Sequence, residues 1–194
     1  AALLEKLAAE YDAVLVDAED DEQHQALLAT MVGMIRPDRG NVMNKSANLL
    51  ELEPGEVRGH RLGLVPQQYA VRDDMSAERN LVYAMDASGR TFLKPKPVIA
   101  RELLHKVHFD VDTPNAPVGK LDVVEQRRVA IARAIACEAE VLIADEPTGG
   151  LNDDDSVEIL QLLTSLTHGD PKRCVIILTE SEAVANIAET IIKL

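Results

Sequence analysis

"VEQRRVAIARAIACEAEVLIADEPTGG", residues 124–150, holds a helix and a strand back to back. The first half, 124–137, is an alanine-rich helical stretch. "EVLIADE" (140–146) is a continuous apolar run closed by two carboxylates, as expected for a strand covered on both faces. Working outward, "AVLVDA" (13–18), "HRLGLVPQ" (60–67), "RCVIILT" (173–179) and "TIIKL" (190–194) read as further short strands. A helix follows the first of them, with Leu27, Leu28, Met31 and Ile35 at helical spacing, and "RPDRG" (36–40) stops it. Helices are also expected over 75–87, over 97–109 with Pro97 in the first turn, and over 154–167. "NAPVGK" (115–120) reads as a loop, and "TESE" (179–182) has the capping-box pattern of a helix start. Strands alternate with helices at both ends, while the middle is helical and loop-rich. That order predicts an α/β parallel sheet, built from 1–70 and 125–194, with a helical lobe inserted at 71–124.

The 194 residues carry a net charge of −13, which opposes non-specific binding to nucleic acid or anionic lipid. No nucleic-acid partner is expected. "RELLHK" (101–106) and "EQRR" (125–128) are read as solvated helix faces rather than basic patches. Aromatics are only 3% of the chain, so Leu, Ile, Val and Ala must build the interior. The apolar run "VIIL" (175–178) is far too short to cross a bilayer. Cys137 and Cys174 sit in apolar segments and read as buried thiols in a reducing compartment. His105 and His108, three apart on an expected helix, could share a ligand, but no third ligand stands nearby and no metal site is expected.

Three stretches together resemble the ATP-binding cassette family, the motor subunits of ABC transporters. "VLIADEPTGGLN" (141–152) is similar to that family's second nucleotide motif and the loop after it. "LDVVEQRRVAIARAIA" (121–136) is similar to the helix of its signature, and "LGLVPQQ" (62–68) to the strand and glutamine loop that lead into its helical lobe. The likeness covers about 14–194 and is nearest to the cassettes of lipoprotein release and macrolide efflux. It implies a P-loop NTPase-like (RecA-like) core with an ABC-type helical lobe. The family's N-terminal β-subdomain is read as missing, because only "AALLEKLAAEY" (1–11) precedes the first strand and Tyr11 is not placed to stack on adenine. Family members pair head to tail, each ATP lying between one subunit's phosphate loop and the other's signature, and the lobe grips a membrane permease.

The resemblance also assigns positions. A working phosphate loop reads G-x-x-G-x-G-K-[ST]-T, its glycines freeing backbone N–H groups, its lysine and hydroxyl serving phosphate and magnesium. Counted back from "RPDRG", the equivalent stretch is "AEDDEQHQA" (18–26). Glycine positions fall on Ala18, Asp21 and Gln23, the lysine on His24 and the magnesium hydroxyl on Gln25. Asp17, Glu19, Asp20, Asp21 and Glu22 place five carboxylates where a polyphosphate would lie. A like-charge contact near 4 Å at an effective dielectric near 20 costs on the order of 4 kcal/mol. Carboxylates do suit a helix N-terminus, so they are expected to fill the anion site from within.

At the signature, Asp122, Val123 and Val124 replace Ser-Gly-Gly, and Glu180 replaces the switch histidine. Asn152 replaces the D-loop aspartate. Gln67, Asp145 and Glu146 match the glutamine-loop, magnesium and catalytic-base positions, with Glu146 expected to be idle. The expectation is therefore a degenerate cassette with no cofactor, ATP and Mg2+ being lost. It docks on a permease or a competent cassette partner through the lobe, with Tyr69, Met75, Leu81 and Tyr83 as contact candidates, and lies on the cytoplasmic face of the membrane. A soluble regulatory protein derived from a cassette, or an active ATPase with a non-standard site, are the alternatives.

Overall fold

The computed structural model describes residues 13–17, 21–68, 70–110, 115–168, 173–181, 184 and 190–193, and for 13–17, 21 and 190–193 the description is of backbone. The expected helix at 1–11, Tyr11 and Tyr69 lie outside these residues. So do Ala18, Glu19, Asp20 and Glu182.

Five strands form one sheet in the order β4-β5-β6-β1-β7: β1 (Ala13–Asp17), β4 (Leu62–Val65), β5 (Val141–Asp145), β6 (Cys174–Leu178) and β7 (Thr190–Lys193). Every pairing is parallel, with Val141 opposite Cys174, Leu62 opposite Val141 and Ala13 opposite Val175. Helices α1 (Asp21–Met31), α4 (Val123–Ile135) and α5 (Asp153–His168) connect strands, and α2 (Ala77–Ala87) and α3 (Lys96–Lys106) lie between β4 and α4 in the chain.

The two faces of β5 and β6 explain why both read as unbroken apolar runs. Leu142 and Ala144, with Val175 and Ile177, enter one hydrophobic cluster with α2, α3, α4 and α5. Val141 and Ile143, with Cys174, Ile176 and Leu178, enter a second cluster under Leu28, Met31 and Val32 at the end of α1. Alternate residues thus serve opposite layers, as the period of two requires. α4 is buried nearly all round, Val129 to Ala132 being inaccessible to solvent, because the sheet covers one side and α2 and α3 the other. Cys137 and Cys174 are both buried, as expected.

Several local expectations need correction. "EQRR" is not a solvated face: Arg127 and Arg128 are buried within α4. His105 stands exposed on α3, but the helix ends at Lys106, and His108 follows with φ +58°, so helical spacing does not apply to the pair. No group of three or more metal-ligating side chains occurs among the described residues. Residues 60 and 61 close a helical turn rather than open a strand, the Leu62 N–H being donated to the Val57 carbonyl. A small antiparallel hairpin, β2 (Met43–Asn44) with β3 (Ala47–Asn48), was not foreseen. Among the described residues no helix is long and apolar enough to cross a membrane.

Candidate functional site

Open α/β sheets bind ligands outside the carboxyl ends of their strands. Here that edge brings together β5, the start of α1 after β1, and the turn after β4. Asp145, last residue of β5, is buried. His24, early in α1 and 5% exposed, places its Nε2 at 2.5 Å from Asp145 Oδ1. The other oxygen, Oδ2, accepts the Gln67 backbone N–H at 3.4 Å. His24 Nδ1 is buried with no hydrogen-bond partner. Three expected positions therefore meet, and Gln25 joins Gln67 and Asp145 on the wall of a cavity of about 370 Å³.

Glu146, the expected base position, has φ +42°, in the left-handed region that a side chain rarely adopts. Its carboxylate is occupied on both oxygens: Oε1 accepts the Glu180 backbone N–H at 2.7 Å and Oε2 accepts the Thr179 hydroxyl at 3.0 Å. Its own N–H is donated to the Leu178 carbonyl. The strand end β5 is thus tied to the strand end β6 by side chain and backbone together. Glu180 enters this arrangement through its amide alone, its side chain being exposed.

Sequence reasoning missed Arg127. It is 1% exposed, and it donates from Nη1 to the Gln67 carbonyl at 3.4 Å and from Nη2 to the Gly149 carbonyl at 3.3 Å. One guanidinium holds the turn after β4 against the turn after β5. Thr179, beside Glu146, was likewise not foreseen.

The signature positions have a local role. Asp122 is the N-cap of α4, its carboxylate accepting the Glu125 N–H at 2.8 Å. Val123 is exposed and Val124 packs against the core. Asn152 similarly caps α5, accepting the Asp155 N–H at 2.9 Å. Asp21 falls at the first residue of α1.

One turn into α4, burial pushes the Glu125 carboxyl from an ordinary 4.5 up to about 7. The Arg128 charge opposes the rise, while Asp122, Glu158 and Asp110 add to it. Its Oε2 is buried without a hydrogen-bond partner. A carboxyl raised on folding keeps a proton that the unfolded chain gives up, so stability falls as pH climbs from about 4.5 through 7. Glu125→Gln is expected to flatten that slope and to stabilise the protein at pH 8 by on the order of 1 kcal/mol, after screening by nearby solvent. Urea unfolding of both proteins at pH 5 and pH 8 reads it; an unchanged slope would show that Glu125 does not titrate there.

The carboxylate of Asp145 at a strand end is the hard oxygen donor that a divalent cation takes. His24 holds one of its oxygens, so a cation reaching Oδ1 requires that side chain to turn away. Among the described residues no carboxylate other than Asp145 lines the cavity between α1 and Gln67. Of the carboxylates expected to fill the site from within, the side chains of Asp17, Glu19, Asp20 and Asp21 lie outside the described residues, and Glu22 is exposed.

A family model described as ABC transporter matches residues 26–149. The chain is 32% identical to the uncharacterized ABC transporter ATP-binding protein YclH of Bacillus subtilis (strain 168), over 84% of this chain and 71% of that protein. It is 32% identical to the lipoprotein-releasing system ATP-binding protein LolD 1 of Chlorobium chlorochromatii (strain CaD3), over 84% of this chain and 66% of that one. The dimeric post-hydrolysis structure of the ATP-binding cassette MJ0796, bound to ADP and Pi, matches with a TM-score of 0.81 at 25% identity, covering 94% of this chain and 81% of that one. Against other curated relatives the chain spans about half of their length. These matches overturn the expectation that no cofactor is involved: the relatives are ATP-binding proteins, the cassette structure holds nucleotide, and an open cavity persists here beside Asp145. From its motifs, its sheet and these relatives, the chain belongs to the ABC transporter family as an ATP-binding cassette.

Proposed function

We propose that this cassette docks on a membrane permease, or beside a hydrolysing cassette, and contributes structure and coupling rather than rapid turnover of its own. The observation that supports slow turnover is the pairing of His24 with Asp145: the residue at the lysine position holds an oxygen at the magnesium position. Asp122, Val123 and Val124 add to it, because two β-branched side chains and a carboxylate occupy the segment that the family resemblance places against phosphate. Glu146, held by Thr179 and the Glu180 amide, has both oxygens engaged.

Docking is assigned to the lobe at 71–124, with the core at 1–70 and 125–194. Of the four contact candidates, Tyr83 is 55% exposed, while Leu81 is buried in the hydrophobic core and Met75 is half-buried. Among the described candidates Tyr83 is therefore the one suited to a partner's surface. The LolD relative is part of a lipoprotein-releasing system and the MJ0796 cassette is dimeric, which supports a permease and a second cassette as partners, at the cytoplasmic face of the membrane.

The retained Gln67, Asp145 and Glu146 favour a second reading, a hydrolysing cassette with a rearranged phosphate site. Phosphate release from MgATP by the purified protein separates the two. Turnover no higher than that of Glu146→Gln supports the first, and turnover that Glu146→Gln abolishes establishes the second. Co-fractionation of the native protein with membranes, lost in Tyr83→Asp, tests the docking surface; a purely soluble native pool would refute it.

A further inference from the structure

Arg128, in the second turn of α4, ties three elements together and is 5% exposed. Its Nη1 donates to the Val107 carbonyl, just past the end of α3, at 2.5 Å, and its Nη2 pairs with Glu158 of α5. Its Nε lies 3.3 Å from Glu125 Oε1, one helical turn back, without making a hydrogen bond. One guanidinium thus joins the end of the lobe's α3 to α4 and α5, and two carboxylates compete for it.

The charges around Glu125 do not balance. Asp122 and Arg128 act on it from α4, Glu158 from α5, and Asp110 from the segment after α3. Arg128 is the single cation among them. Glu125 Oε2 is buried with no hydrogen-bond partner, a setting that suits a protonated carboxyl better than a charged one. With Glu125 neutral, Arg128 and Glu158 match one to one. With Glu125 charged, the guanidinium is pulled away from Val107 and Glu158, and a half-buried cluster carries an unmatched negative charge. The turn that Arg128 holds is also strained: His108, next to Val107, has φ +58°. It is the element that gives way.

We propose that Glu125, Arg128 and Glu158 form a proton-controlled clasp: with Glu125 protonated, Arg128 holds the end of α3 against α4 and α5, and loss of that proton releases it. Linkage fixes the direction. Folding raises the Glu125 carboxyl to about 7 and an opened lobe end returns it toward 4.5, so the opened form gains on the closed one as pH climbs between them. Tyr83 belongs to the same lobe, so release would also reach the docking surface. That consequence rests on the docking reading, whereas the clasp itself is read in the free chain.

Hydrogen exchange of the full chain, followed by mass spectrometry at pH 6 and pH 8, tests it. Glu125→Gln is measured alongside, which cancels the intrinsic pH dependence of exchange. Parent exchange over 103–110, relative to the variant, is expected to rise by up to about tenfold between the two pH values, the population change that linkage allows over that interval. Exchange over β5, Val141–Asp145, is expected to keep a constant ratio, which separates local release from a global loss of stability. Glu158→Gln, at an exposed position, leaves Arg128 to Glu125 and is expected to move the response to lower pH. A flat ratio over 103–110, an equal rise in β5, or a Glu158→Gln response at unchanged pH would each overturn the proposal. Should Glu125→Gln fail to fold, the comparison of Glu158→Gln with the parent decides alone.

Discussion

Arg127→Ala is expected to destabilise the protein by about 3–5 kcal/mol, the range for removing a large buried side chain that also satisfies polar groups. The side chain is 1% exposed, so its removal leaves a hole rather than a solvated gap. Two of its bonds end on the carbonyls of Gln67 and Gly149, which follow β4 and β5. Both carbonyls lose a donor at once, and neither turn has a repeating ladder to fall back on. Arg127→Met separates the contributions, because methionine keeps most of the buried volume while losing both bonds. It is expected to cost about 1–3 kcal/mol. Urea unfolding measures both, and amide exchange should quicken around Gln67 and Gly149 in each. A cost for Arg127→Ala within ±0.5 kcal/mol, the level of an ordinary surface change, would show that the arginine holds nothing together.

Why Arg127 escaped sequence reading while the sheet did not follows from what each leaves in the chain. β5 and β6 are buried on both faces, so every residue of "VLIAD" and "CVIIL" is constrained and the signal is dense. Arg127 answers to Gln67, sixty positions away, and to a turn not yet formed when the sequence is read. A pair of arginines after glutamate and glutamine looks like a solvated face, and only α2, α3 and the sheet closing around α4 make it an interior one. The pairing of His24 with Asp145 spans 121 residues and has the same obscurity. Its partners were identified as separate positions in a family pattern, not as neighbours.

Asp122 illustrates a different limit. Its replacement of a serine was read for its effect on a phosphate, yet a carboxylate at that place also does what serine does for a helix, accepting the Glu125 N–H. The same substitution preserves the fold of α4 and alters the chemistry beyond it. The β2–β3 hairpin left little trace because its turn, Lys45-Ser46, lacks the Asn-Gly or Asp-Gly that marks such turns. Lys45 takes φ +55° there without the residue type that usually advertises it.

Gly63→Ala is expected to cost about 3 kcal/mol or more and to lower the melting temperature by roughly 10 °C, at a few degrees per kcal/mol for a chain of this size. A Cβ on Gly63 would sit 2.3 Å from the Ala134 carbonyl oxygen and 3.0 Å from its carbon, both backbone atoms of α4. A flexible side chain could swing aside, but a helix backbone moves only with its whole packed length, and Val129 to Ala132, Ala134 and Ile135 are buried. β4 is itself held by parallel pairing to β5, from Leu62 opposite Val141 to Val65 opposite Ala144, so neither partner gives way cheaply. Gly55→Ala supplies the opposite sign. Gly55 lies in a short helical turn with nothing within 4 Å of the added carbon, and alanine there restricts the unfolded chain, so a gain of about 0.5 kcal/mol is expected. Thermal melts of the two variants beside the parent read both signs in one experiment.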